Sequence, residues 1–354
     1  MHQGRSLAPT LTLVGISGAA LVALGAVVAL GGVDPGAALA ALWRGAVGSP
    51  AAFLSGTLVR ATPLILAGLA VAVAFRAGIL NIGAEGQLLA GATAATAVAS
   101  WTGAALGPAA AVVALAAGAL AGAGWAAIAA LLRARFGVLE VISTIMLNFV
   151  ALYAVGFLVH GPLQEPTLAY PQSEAIPQAA RLAAIFPGYR VHWGFALAVI
   201  LAVALWLALR YSAAGFRVRM AGANPHAAAS AGLVNVARTT TGVFLVSGAL
   251  AGLAGAAELQ GVTYALYENL SPGYGYSAIA VALLARLDPM LVVPSGLLFG
   301  ALQAGGAAMQ RDAGVPSVLV LVVEATVILL LLAIGRVRGT GLGGFGPSAA
   351  EAQP

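Results

Sequence analysis

Residues 86–132 read GQLLAGATAATAVASWTGAALGPAAAVVALAAGALAGAGWAAIAALL, 47 positions without one charged side chain. A membrane passage needs about 20 predominantly apolar residues, so this stretch is long enough for two, with Gly103-Ala104-Ala105-Leu106-Gly107-Pro108 as the turn between them. The rest of the chain follows the same rule. Charged residues make up 8% of 354 positions and hydrophobic ones 61%, and the mean hydropathy is +0.99. A soluble domain carries about a quarter charged residues, so a water-exposed enzyme is excluded. Further charge-free intervals run over 141–164, 191–209, 239–257 and 289–310. The first apolar run, 11–33, is too long for a signal-peptide core of about 7–15 residues and reads as a helix.

The fold class that follows is an all-α polytopic membrane protein with about ten segments: 11–33, 57–75, 83–101, 108–132, 141–160, 191–210, 239–258, 276–287, 291–309 and 315–335. The segment 276–287 is only half a span, and the last carries Glu324 near its middle, facing either Arg286 or Arg60. Basic residues are retained on the cytoplasmic side. With the N-terminus inside, 11 of the 16 arginines fall on inner ends and loops: Arg5, Arg76, Arg133, Arg135, Arg210, Arg217, Arg219, Arg238, Arg286, Arg336 and Arg338. Ten segments then place both termini in the cytoplasm. Residues 1–10 form the N-terminus, 11–338 a single transmembrane domain, and 339–354 a flexible tail.

Two connections are long. Residues 161–190, outside, contain Pro162, Pro166, Pro171, Pro177 and Pro187; proline is excluded from helix interiors, which makes this an ordered cap or docking surface. Residues 211–238, inside, hold Gly222-Ala223-Asn224-Pro225-His226-Ala227-Ala228-Ala229-Ser230-Ala231-Gly232. Asn224 caps a helix with Pro225 at its first position, and Gly232 stops it.

The densest polar sequence at membrane depth is Phe75-Arg76-Ala77-Gly78-Ile79-Leu80-Asn81-Ile82-Gly83-Ala84-Glu85-Gly86-Gln87. Its glycines allow a broken helix, tolerated where the backbone is buried or lines a cavity. Asn81, Glu85 and Gln87 either line a solute pathway, or Glu85 is a carboxylate at a helix start, stabilised by free N–H groups. Asn148, in Ser143-Thr144-Ile145-Met146-Leu147-Asn148, either hydrogen-bonds a solute or joins two helices. Ser271-Pro272-Gly273-Tyr274-Gly275-Tyr276-Ser277 leads into the half-span. Tyr274 and Tyr276 either stack on a ring-shaped solute or belong to an interfacial aromatic belt. Gly118/Gly122, Gly248/Gly252 and Gly296/Gly300 are small-xxx-small pairs suited to close helix packing.

What is missing narrows the chemistry further. There is no lysine among the 16 basic residues, so neither a phosphate-binding Walker loop nor a Schiff-base nucleophile is available. No cysteine is present, and the four histidines (His2, His160, His192, His226) lack metal-ligand spacing. The net charge of +5 is dispersed as punctuation between apolar runs rather than gathered on a nucleic-acid-binding face. Gly341-Leu342-Gly343-Gly344-Phe345-Gly346 matches a dinucleotide fingerprint, but without a preceding strand or a following helix it is discarded.

Four blocks, 77–87, 142–148, 222–232 and 278–285, stand in the order AGxxNIGxEGQ, ISTIMLN, GxNPxAAxxAG and AIAVALLA. Together they resemble the permease subunits of bacterial ATP-binding-cassette importers in the ribose, branched-chain amino acid and nucleoside superfamily, and are most similar to the nucleoside branch. Ala285 stands where that branch has glycine. The resemblance implies a multi-pass protein of the bacterial inner membrane that passes nucleosides inward by alternating access. It implies no cofactor on this chain, ATP and magnesium being bound by a separate ATPase subunit, and a second permease, paralogue or self, beside it. An extracytoplasmic solute-binding lipoprotein delivers the solute. Gly222, Asn224, Pro225, Ala227, Ala228 and Gly232 then form the coupling helix that meets the ATPase. The same architecture carrying a simple sugar or branched-chain amino acid is the alternative, and an ion-coupled carrier using Glu85 and Glu324 is the alternative of a different class.

Overall fold

A computed structural model describes residues 25–335 apart from 27, 30, 231 and 233. Most of the expected first segment 11–33, together with Arg336, Arg338 and the tail 339–354, lies outside the described residues, as does the side chain of Glu324. Contacts divide the chain into two units, Met1–Ser49 with Leu302–Pro354 and Pro50–Ala301.

The larger unit is helical, with only two isolated bridges and no strand among the described residues. Its helices are α2 (Pro50–Arg76), α3 (Ala84–Leu106), α4 (Ala109–Phe136), α5 (Glu140–Val159), α6 (Trp193–Tyr211), α7 (Ala213–Ala223), α8 (Pro225–Ser230), α9 (Val236–Thr263), α10 (Tyr274–Leu284) and the first part of α11 (Pro289–Ala313). In the smaller unit, α1 (Pro35–Ala46), the end of α11 and α12 (Ser317–Gly335) enclose a core of Val28, Ala38, Ala41, Met309, Val315 and Val320. Six of these helices, α2, α4, α5, α6, α9 and α11, are long and apolar enough to cross a membrane; the protein is a multi-pass membrane protein.

Helix starts follow local chemistry. An acidic or amide residue followed by proline opens three helices: Asp34 Oδ1 accepts the Gly36 N–H at 3.1 Å, Asn224 Oδ1 the Ala227 N–H at 3.0 Å, and Asp288 Oδ1 the Met290 N–H at 2.9 Å. Each side chain satisfies a donor that the first helical turn leaves free. The same signature in Asp34-Pro35 makes α1, a helix absent from the ten-segment reading. α10 runs over Tyr274–Leu284; its 11 residues rise about 16 Å, half of a bilayer core of about 30 Å.

The glycine pairs decide how closely helices meet. A methyl on Gly122 would overlap the Gly248 carbonyl, one on Gly252 the Gly118 carbonyl, and one on Gly91 the Gly252 carbonyl, so α3, α4 and α9 touch backbone to backbone. Gly296 faces Ile65, and Gly300 faces Thr57 and Ala61, so the third pair seats α11 on α2.

Residues 161–192 form an ordered cap. Ser173 N–H donates to Leu266 O at 2.7 Å, Ile176 N–H to Tyr264 O at 2.7 Å and Leu182 N–H to Gln260 O at 2.9 Å, knitting it to the π-helical end of α9 and the segment 264–273. Arg181 lies 4.5 Å over the Tyr264 ring. At its end His192, 2% exposed, caps α6 by accepting the Gly194 N–H on Nδ1 at 3.2 Å, a role only the neutral ring can fill. Burial and the neighbouring Arg190 push its pKa down to about 4. The unfolded chain takes up the proton first, so this residue removes stability as pH falls from 6.5 towards about 4. Titration of the ring nitrogens by NMR is expected to find His192 neutral at pH 5.5; a midpoint near the ordinary histidine value of 6.5 contradicts the buried cap.

Candidate functional site

α2 ends at Arg76, the chain turns through Gly78 at φ +74°, and α3 starts only at Ala84. Of the seven residues between, Ala77, Gly78 and Ile79 donate back to carbonyls of the last turn of α2, and an amide cluster supplies partners to Ile82 and Gly83 farther on. Asn81, wholly buried, accepts the Gly83 N–H on Oδ1 at 2.9 Å and donates to Ser247 Oγ at 2.9 Å and to Gln87 Oε1 at 3.1 Å. Ser247 donates onward to Ala70 O at 2.7 Å. Asn148, from α5, accepts the Gly86 N–H at 2.8 Å and donates to Ile82 O at 2.9 Å, with Tyr276 Oη at 3.3 Å. The break is thereby tied to α2, α5 and α9 at once. Irregular backbone is tolerated at membrane depth where it is buried in protein and its polar groups find internal partners, and these side chains provide such partners.

The start of α10 meets the start of α3. A methyl on Gly275 would overlap the Glu85 backbone, and the Glu85 carboxylate accepts the Gly275 N–H at 2.6 Å. Glu85 therefore behaves as a carboxylate at a helix start, but the N–H it takes belongs to α10 rather than to its own helix. Ser271 Oγ accepts the Tyr274 N–H at 3.0 Å. The Tyr274 hydroxyl hydrogen-bonds Glu258, near which Arg60 lies. Tyr274 is buried, while Tyr276 keeps 45% of its surface exposed.

At the start of the break, α7 and α8 form a hairpin. Ser212 Oγ caps α7 by accepting the Gly215 N–H at 3.0 Å, and Gly232, at φ +68°, follows α8. The expected single helix is thus the second of two. Asn224, Pro225, Ala227 and Gly232 are exposed, and Ala228 is buried beneath them. Gly222 packs on the Arg76 carbonyl.

The structure therefore brings Asn81, Glu85, Gln87, Asn148 and Tyr276 into one polar assembly, directs Tyr274 to Glu258 beside it, and leaves Gly222, Asn224, Pro225, Ala227, Ala228 and Gly232 on the hairpin. Sequence reading passed over Ser247 and Glu258, and quoted Ser271 without giving it a role of its own. A serine in an apolar run carries no local signal. Glu258 carried one, since it ends the charge-free interval of α9.

Comparison with known proteins agrees with this architecture. Residues 53–333 match the family model described as branched-chain amino acid transport system / permease component. The glucose ABC transporter permease protein TsgB13 of Haloferax volcanii is 40% identical over 344 residues, 93% of this chain and 87% of its own. The guanosine ABC transporter permease protein NupP of Bacillus subtilis is 38% identical over 344 residues, 94% of each chain. The nucleoside ABC transporter permease protein NupB of Lactococcus lactis is 31% identical over 332 residues, 87% of this chain and 86% of its own. No solved structure matches. The chain belongs to the ABC-transporter permease family of branched-chain amino acid transport system permease components.

Proposed function

We propose that this permease, with a second permease chain, forms the passage of an ATP-driven importer that moves nucleosides across a bacterial inner membrane. The observation that carries the reading is the α7–α8 hairpin, an exposed surface of small residues seated through Gly222 on the point where α2 breaks. A rigid, capped contact there suits a moving protein partner: an ATPase subunit that binds ATP and magnesium and does the hydrolysis that a lysine-free chain leaves to another. In this reading Gly222, Asn224, Pro225, Ala227, Ala228 and Gly232 form the coupling contact. Asn81, Glu85, Gln87, Asn148, Tyr274 and Tyr276 shape the pathway. Ten segments with both termini cytoplasmic, within a permease domain of 11–338, put the hairpin inside and residues 161–190 outside, where a solute-binding lipoprotein docks.

The nucleoside draws on NupP and NupB, whose names give guanosine and nucleosides. A second reading, a simple sugar, draws on TsgB13, named for glucose. The ion-coupled carrier has no such support. Uptake by cells expressing the complete system is expected to be suppressed by excess purine or pyrimidine nucleoside and untouched by glucose or leucine. Suppression by glucose alone replaces the nucleoside with the sugar.

A further inference from the structure

The helix break, the half-helix and the cytoplasmic hairpin converge on one residue. On one side, the main-chain carbonyl of Arg76 lies under Gly222: a methyl there would overlap the Arg76 oxygen and stand 2.9 Å from its carbonyl carbon. On the other side, Arg76 Nη1 donates to the Leu287 carbonyl at 3.2 Å, across 211 positions of sequence. Leu287 belongs to the turn that ends α10. The turn is closed by Arg286 N–H to Leu283 O at 3.0 Å and Leu287 N–H to Ala282 O at 2.9 Å. Arg286 and Leu287 stand at φ +52° and +59°, consecutive non-glycine residues in the left-handed region. That conformation persists only where the surroundings hold it, and the Arg76 guanidinium is one of the groups that hold it. Ala285, in place of the family's glycine, keeps an ordinary φ of −72°; the left-handed turn falls on Arg286 and on Leu287, whose carbonyl Arg76 reaches. Higher up, Gly68 leaves room for Val281, so α10 and α2 pack closely along their length.

We propose that Arg76 is the positioning residue that fastens α10 to the cytoplasmic hairpin, so that a displacement of α7–α8 moves the half-helix with it. This rests on the coupling reading of residues 222–232. The test uses the complete transporter, permeases, ATPase and receptor, reconstituted in vesicles and supplied with radiolabelled guanosine, or glucose where competition selects the sugar. Arg76→Gln is expected to keep ATP hydrolysis near its normal rate while solute delivered per ATP falls roughly tenfold, the size of an ordinary coupling free energy. Arg76→Lys, whose donor sits on a chain long enough to reach the Leu287 carbonyl where the shorter glutamine amide does not, is expected to restore most of the loss. An unchanged ratio in Arg76→Gln, or a parallel fall of hydrolysis and transport that lysine does not rescue, overturns the proposal.

A second measurement decides the matter if Arg76→Gln does not assemble. The chain has no cysteine, so spin labels can be placed at Ala229→Cys and Ser277→Cys with Arg76 intact. Their separation is expected to stay within about 2 Å between nucleotide-free and ATP-bound states, the scale of ordinary helix shifts; a larger change shows that hairpin and half-helix move apart and overturns the link. Immobilisation of the Ala229 label on adding the ATPase tests the coupling reading separately, so failure of one is distinguishable from failure of the other.

Discussion

Gly252→Leu is expected to abolish folding of the permease, and Gly252→Ala to destabilise it by roughly 2–3 kcal/mol, the upper part of the usual range for overpacking. The reason lies in what a side chain would meet. A single methyl at Gly252 overlaps the Gly118 carbonyl and stands 2.9 Å from Gly122 Cα, while Gly91 approaches the Gly252 backbone from α3. The obstacles are main-chain atoms of packed helices, which cannot rotate away as the end of a side chain would. Relief requires α4 and α9 to separate, breaking a seam that also includes Gly248. Gly124, on the same α4, is the control, because a methyl there meets nothing within 4 Å; Gly124→Ala is expected to be neutral or to stabilise by up to about 1 kcal/mol through helix propensity. Unfolding in detergent titrated with dodecyl sulfate separates the two. Equal stability of Gly252→Ala and Gly124→Ala would sink the backbone-contact account.

Asn148→Leu is expected to remove about 2–4 kcal/mol, since it strands two buried polar groups, each worth roughly 1–3 kcal/mol. Those groups are the Gly86 N–H, one of the donors left over by the first turn of α3, and the Ile82 carbonyl in the break. Leucine has the same branched heavy-atom skeleton and is no smaller, so the loss does not arise from a cavity. Asn148→Asp keeps the acceptor for Gly86 and loses the donor to Ile82 and Tyr276. Hydrogen exchange at the Gly86 amide reports on the bond directly. It is expected to accelerate strongly in Asn148→Leu and much less in Asn148→Asp, and unaltered protection in both would show that α3 is capped by something else.

Much of the architecture was legible because membranes impose a coarse code. The charge-free rule located α4, α5, α6, α9 and α11 to within a few residues at most ends. The glycines of 78–86 marked the break before α3, and Asn224-Pro225 marked α8. Asp34-Pro35 carries the same signature, but it lay between assigned segments and its helix was overlooked. The hairpin was read as one helix because Ser212, a serine like many others here, does not announce that it caps α7. The polar site was half legible. Asn81, Glu85, Gln87 and Asn148 stood out as polar residues in apolar surroundings, but their partners are fixed by tertiary packing. Ser247 lies 166 residues from Asn81, and Gly275 lies 190 from Glu85; no local pattern encodes such pairs. The glycine motifs had the opposite fault, being too common for the sequence to say which would meet.

The way the cap of residues 161–192 is fastened predicts where evolution is free to change the length of this chain. Between Ser173 and Leu182 three backbone hydrogen bonds fix the cap to residues 260–266, and the segment beyond them descends to the start of α10. One residue inserted between Ser173 and Leu182 would shift the register of all that follows and pull on the half-helix. Around Leu168 and Tyr170 the chain is exposed, and exposed loop tips accept insertions most readily. Relatives that differ in the size of this segment should therefore carry their extra residues before Ser173 or in the exposed turn at 186–190, leaving the span between Ser173 and Leu182 constant in length whatever its composition.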